Sequence, residues 1–279
     1  MNKLDINKLV DELNSELYDK IHDLNNKPGI GLVRVGDDKS SVSYQKSLIK
    51  QAEKIGIKVL NFEFDNIYED ILLQELEKIN DRSDVNGILI FQPLPKYLNS
   101  DKIMNSIDPR KDVDGCSKIN QGRLMEIDDY RNLPTTAVSI LEYLKSIVDL
   151  KGKNVLIINR SSVIGKPLMM LLLKENSTVT VAHSHTVDIY KIMEDKDIII
   201  SAVGKANIYA PTKLKEDAIV LDIGLSLGND GKMSGDFDIN SIDKMNIRYM
   251  PAIGGIGKLN SNIILKNTYL NYMEEINER

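Results

Sequence analysis

Short apolar runs rich in Val and Ile alternate with longer stretches of helical period along most of the chain. GIGLVRVG (29–36), KVLNFEF (58–64) and VNGILIFQ (85–92) predict strands, with helices predicted over 41–55 and about 68–79 between them. The pattern restarts with KNVLIINR (153–160), a helix over 165–175, and the strand candidates TVTVAH (178–183), DIIISAVG (197–204), AIVLDIG (218–224) and IRYMP (247–251). The later runs are almost continuously apolar, as strands covered on both faces require. NSNIILKNTYLNYMEEI (260–276) predicts a closing helix. Alternation of this kind implies βα units around parallel sheets. The fold class is α/β in two lobes, the first running to about residue 136 and the second to about 257.

The second lobe opens with VLIINRSSVIGKP (155–167), a strand, a tight polar loop and a helix start. Such a layout turns backbone N–H groups and a helix N-terminus toward a phosphate, as in a Rossmann-type dinucleotide site. The full glycine fingerprint is absent: Asn159 stands at the first glycine's place, and Gly165 remains at the helix start. Arg160 follows the strand where a guanidinium grips an adenosine 2′-phosphate, and is equally readable as a solvated surface arginine. Ser184 follows the second strand, where ribose contacts are made, and no acid ends that strand. His183 and His185 alternate in facing, with no further His or Cys nearby to complete a metal site.

Composition narrows the class without naming a chemistry. Of 279 residues, 42% are apolar and 28% charged, with a formal net charge of −5, which offers no basic excess for a nucleic acid. One cysteine, Cys116, allows no internal disulfide, and no apolar run approaches a membrane span. These features predict a soluble, cytoplasmic protein without a membrane or nucleic-acid partner.

In the first lobe, SVSYQKSLIK (41–50) offers a tyrosine and two lysines on one helix. At about 100° per residue, Leu48 lies roughly 40° from Tyr44, while Lys46 and Lys50 lie about 200° and 240° round. The lysines belong to a charged outer face, and the neighbour of Tyr44 one turn on is Leu48.

Several segments, in order, resemble the methylenetetrahydrofolate dehydrogenase/cyclohydrolase family. They are DPRKDVDG (108–115), INQGRL (119–124), NRSSVIGKP, VAHSHT (181–186), VLDIGLS (220–226), GDFD (235–238) and PAIGGIG (251–257). The resemblance implies a folate-binding catalytic domain of residues 1–136 plus 258–279, with the last helix returning to the first lobe. It implies an NAD(P)-binding Rossmann domain of 137–257, folate held between the lobes, and a homodimer. The cofactor it implies is NADP, with NAD as the other option. Carried over by position, Tyr44 stacks on the folate ring, Asp114 hydrogen-bonds the pterin, and Gly254 and Gly255 line the folate site. Asn159, Arg160, Ser161, Gly165, Ser184 and Leu225 fall at cofactor contacts.

The chain departs from the family pattern at telling places. In Tyr-x-x-x-Lys, the lysine expected to drive water addition is Leu48. The supporting glutamine's place holds Phe91, with Gln92 one residue along as a stand-in only where the strand end bulges. Ile253, Lys258 and Asn260 replace two prolines and a threonine, and His185 replaces a frequent Arg or Lys. The expectation is oxidation of 5,10-methylenetetrahydrofolate with weak or absent cyclohydrolase activity. The alternatives are a bifunctional enzyme using a displaced lysine such as Lys258, and a non-catalytic binding paralogue.

Overall fold

The computed structural model describes residues 1–127, 129–228 and 231–278. Its elements begin with β1 (Asn2–Lys3), α1 (Asn7–His22), β2 (Gly29–Val35), α2 (Lys39–Ile55), β3 (Lys58–Phe64), α3 (Glu69–Asn80) and β4 (Gly87–Ile90). The short helices α4 (Ser100–Met104) and α5 (Lys118–Gly122) follow, then α6 (Thr135–Ile147), β5 (Asn154–Ile158), α7 (Gly165–Lys174) and β6 (Thr178–Ala182). The rest is α8 (Ile189–Met193), β7 (Ile198–Ser201), β8 (Ile219–Asp222), β9 (Ser226–Leu227), β10 (Met233–Ser234), α9 (Ile239–Ile242), β11 (Arg248–Met250) and α10 (Gly257–Asn277).

The chain divides into two compact units, Val10–Thr135 with Asn260–Arg279, and Met1–Leu9 with Thr136–Leu259. The first holds a parallel three-stranded sheet in the order β3-β2-β4. Alternate side chains supply two cores. Ile30, Leu32, Leu89 and Phe91 pack with Leu17, Leu48, Ala52 and Leu265 on one face. Val33, Val35, Ile88 and Ile90 pack with Leu72 and Leu76 on the other.

The second unit holds a parallel six-stranded sheet in the order β1-β11-β8-β7-β5-β6. Strands β5, β7 and β8 are buried almost throughout, which accounts for their unbroken apolar sequence. The first residues join this unit, whereas the sequence pattern starts the first lobe at residue 1. The cause is a long-range ladder, Asn2 beside Arg248 and Lys3 beside Tyr249, which no local apolar pattern signals.

Candidate active site

Helix α2 presents the first group of residues. Its start is fixed by Asp38, whose carboxylate accepts from the Ser41 N–H at 2.9 Å. The Ser41 hydroxyl donates to the Gln92 carbonyl at 2.9 Å, tying the first turn of α2 to the segment after β4. Two turns of helix geometry then place Tyr44 and Leu48 on the inward face and leave Lys46 and Lys50 exposed. Tyr44 sits edge-on to Phe91 with ring centroids 5.8 Å apart. Its hydroxyl is hydrogen-bonded to Ser261, and burial, with the nearby Asp114 charge, pushes its pKa up to about 12. Leu48 has no exposed surface and shares one apolar cluster with Phe91.

Gln92 turns elsewhere. Its amide nitrogen lies 3.4 Å from Met104 Sδ, and its amide oxygen accepts from the Leu94 N–H and the Ser100 hydroxyl. Phe91, on the opposite facing, is the residue that meets Tyr44. The bulge that would bring Gln92 to the tyrosine is not formed.

The segment after β4 builds the second group through two acids with different work. Asp112 is fully buried and accepts from the N–H groups of Cys116 (3.3 Å) and Ser117 (2.8 Å) and from the Asn120 amide (3.0 Å). It is the acid that caps this turn. Gly115 follows Asp114 at φ +66°, and a Cβ there would sit 2.2 Å from the Leu133 carbonyl carbon, so only glycine fits. Asp114 is half-buried. Burial lifts its pKa to about 6; the Cys116 thiol opposes the rise, Asp112 adds to it, and Thr135 opposes it.

In the second unit, the loop after β5 is organised by Asn159. Its amide donates to the Ala202 carbonyl at 2.6 Å, at the end of β7, and its amide oxygen accepts from the Ser161 and Gly165 N–H groups. A Cβ on Gly165 would lie 2.1 Å from the Asn159 carbonyl oxygen. The start of α7 is thereby satisfied from within: Gly165 by Asn159, Lys166 by the Ser161 carbonyl, Leu168 by the Ile164 carbonyl. This corrects the expectation of a free helix N-terminus, because an asparagine in the first glycine's place brings its own acceptor. Among the described residues, the loop N–H groups of Ser162 and Val163 have no partner.

Around this loop the chain leaves ligand-type groups uncommitted. Arg160 is exposed and makes no ion pair among the described residues. Ser184 is exposed just beyond β6, the strand paired with β5. Leu225 is 45% exposed beyond β8, so it is not core filling. The loop also lies where successive strands leave β5 on opposite sides, the usual crevice of an open α/β sheet. Beneath it, buried Asp236 accepts from the Ser201 hydroxyl (2.6 Å) and the N–H groups of Val203 (2.7 Å), Gly204 (2.9 Å) and Lys205 (2.9 Å).

Residues 4–114 match the catalytic domain of tetrahydrofolate dehydrogenase/cyclohydrolase, and residues 134–276 match the NAD(P)-binding domain of the same family. The chain belongs to the tetrahydrofolate dehydrogenase/cyclohydrolase family. It is 37% identical over 262 residues to the bifunctional protein FolD of Clostridium botulinum, covering 93% of each chain. The solved bifunctional FolD of Campylobacter jejuni superposes with a TM-score of 0.93 at 33% identity, over 99% of each chain. A FolD from Trypanosoma brucei, solved with NADP and an inhibitor, gives a TM-score of 0.89 at 26% identity, over 98% of this chain and 97% of that one.

Leu48 and Phe91, expected at the family's lysine and glutamine positions, lie in one apolar cluster. Lys258, the displaced lysine expected of a bifunctional enzyme, donates from Nζ to the Asn7 side-chain oxygen at 2.7 Å in an exposed setting. Gly254 (φ +77°) and Gly255 form the turn into α10; a Cβ on Gly255 would lie 2.5 Å from the Pro251 carbonyl oxygen. Sequence reasoning gave no role to Ser261, Cys116, Asp112 or Asp236. Asp112 lies in DPRKDVDG and Asp236 in GDFD, but neither motif says what its acid binds.

Proposed function

We propose that this chain oxidises 5,10-methylenetetrahydrofolate to the 5,10-methenyl form with NADP as hydride acceptor, and opens the methenyl ring weakly or not at all. The observation that carries the reading is the environment of Tyr44: Asp114 and Ser261 lie beside its hydroxyl, and its ring packs against the apolar cluster that holds Leu48 and Phe91. Tyr44 supplies an aromatic face for the folate. Asp114, when ionised, accepts hydrogen bonds from the pterin's N–H groups. The loop from Asn159 to Gly165 suits NADP: the free N–H groups of Ser162 and Val163 fit phosphate oxygens, and Arg160 fits the 2′-phosphate. NADP, when bound, supplies the hydride acceptor. The chain's own work in that step is to hold, orient and exclude water, for which no side-chain proton carrier is required.

Water addition differs, because a general acid–base contributes about two to four powers of ten to such a step. Leu48 carries no proton and no charge. A second reading, in which the chain also opens the ring, is supported by the names of the Clostridium botulinum and Campylobacter jejuni relatives. In that reading Lys258 is the displaced lysine, and Lys258→Ala abolishes ring opening while sparing oxidation.

One assay separates the two. With methylenetetrahydrofolate and NADP, methenyl product is expected to accumulate as NADPH forms. Formation of 10-formyltetrahydrofolate at the rate of NADPH production would establish the bifunctional reading instead. In the same assay, Arg160→Ala is expected to raise the KM for NADP by about tenfold to a hundredfold, the loss of a charge-assisted phosphate contact. The KM for NAD should stay where it was, and an equal rise for both cofactors would remove Arg160 from the 2′-phosphate.

A further inference from the structure

We propose that Cys116 is a positioning residue for Asp114, its thiol donating a hydrogen bond that orients the carboxylate and favours the ionised form that recognises the pterin. This rests on the reading of Asp114 given above. The thiol sulfur lies 3.2 Å from Asp114 Oδ2, and its other acceptor, the Asp114 backbone oxygen, is more distant at 3.7 Å.

The chain is bent to make this contact. Asp112 holds the Cys116 N–H at 3.3 Å and the Ser117 N–H at 2.8 Å, and the Gly115 N–H donates to the Asp112 carbonyl at 3.1 Å. With Gly115 in the left-handed region, the side chains on either side of it come to face each other. The Gln121 amide secures the Cys116 carbonyl at 2.8 Å. Backbone and neighbours thus aim the thiol at the carboxylate.

Thr135 also reaches Asp114, but its hydroxyl has one proton and lies 3.1 Å from the Val113 carbonyl, a competing acceptor. The titratable groups facing Asp114 are Asp112, Tyr44 and Cys116. Asp112 repels its charge, so a donor on the carboxylate decides how far up its ionisation is carried. Burial and both acids push the thiol's own ionisation far up, so Cys116 stays an S–H donor and is not a nucleophile at working pH. A thiol is a weak donor in general, but a bond to a carboxylate away from water counts for more.

Because the chain has one cysteine, its S–H infrared band reports on Cys116 alone. In the full chain the band is expected to shift with pH around the Asp114 midpoint near 6, and to lose that dependence in Asp114→Asn. A band that ignores pH overturns the pairing. Kinetically, Asp114 must be ionised to bind folate, so the folate KM falls as pH rises through its midpoint. Cys116→Ala should move that limb upward by about one pH unit, a KM rise of up to about tenfold on the acid side that vanishes on the alkaline side. Cys116→Ser, which keeps a donor, should restore the wild-type profile. A KM change equal at every pH, or no change, refutes the proposal and leaves Cys116 as apolar filling. If Asp114→Asn leaves the folate KM untouched, the pterin assignment fails, while the infrared result still decides whether thiol and carboxylate are paired.

Discussion

In a Leu48→Lys/Phe91→Gln double variant, opening of the methenyl ring is expected to rise by about two to four powers of ten over the parent chain. The argument is spatial. Leu48 has no exposed surface, Phe91 is 4% exposed, and both belong to the cluster on which Tyr44 packs. A lysine alone would be an ammonium among Leu, Ile and Phe side chains, with nothing to accept its protons. Leu48→Lys by itself is therefore expected to lose about 3 kcal/mol or more of stability. Glutamine at 91 offers an amide oxygen to the new ammonium, so the double variant should regain part of the loss. Thermal unfolding follows the first effect and the decay of added methenyltetrahydrofolate the second. A double variant that folds and binds folate but opens the ring no faster would place the missing chemistry elsewhere. A parent chain that already opens it quickly would make the substitution pointless.

Asp236→Ala should unfold the cofactor-binding unit at a markedly lower temperature, with a loss of about 3 kcal/mol or more. The carboxylate is the shared acceptor for Ser201, Val203, Gly204 and Lys205. Alanine leaves those donors buried or half-buried without a partner, and each orphaned group costs about 1–3 kcal/mol. Asp222 stands next to it, accepting from the Asp236 and Phe237 N–H groups and the Tyr249 hydroxyl. Burial raises the Asp222 pKa to about 6, and the Asp236 charge adds to the rise. With that charge gone, the Asp222 midpoint should fall, which carbon-detected NMR of the carboxyl groups can follow. An Asp236→Ala chain that melts with the wild type would mean that water satisfies the turn.

The strands and long helices were legible because their signals are local. Parallel strands buried on both faces read as unbroken Val and Ile, and α2 shows its buried face at Tyr44, Leu48, Ala52 and Ile55. Leu48 stood out for the same reason: helical period alone separates it from Lys46 and Lys50. What escaped depends on partners far along the chain. β1 is two residues long and exists through its ladder to β11. The β9–β10 pair is equally short and carries no alternating pattern. Asp112 and Asp236 bond mainly to backbone N–H groups, which every residue but proline possesses, so no side-chain pattern announces them. Gln92 and Phe91 differ by one residue, and the facing of a strand end is a tertiary matter.

The last helix has a consequence for how the molecule is made. Asn267 donates to the Val113 carbonyl and Asn271 to the Asn86 carbonyl, and Arg131 pairs with Glu274, so α10 completes the unit that contains Tyr44 and Asp114. Most of that unit is synthesised before residue 136, yet it lacks this wall until residues 260–277 have been added. The other unit, whose segments end at Leu259, has all its strands earlier. On the ribosome, the unit whose bulk is made first finishes last. Its open apolar face must wait, through the making of the whole intervening unit, for a helix not yet translated.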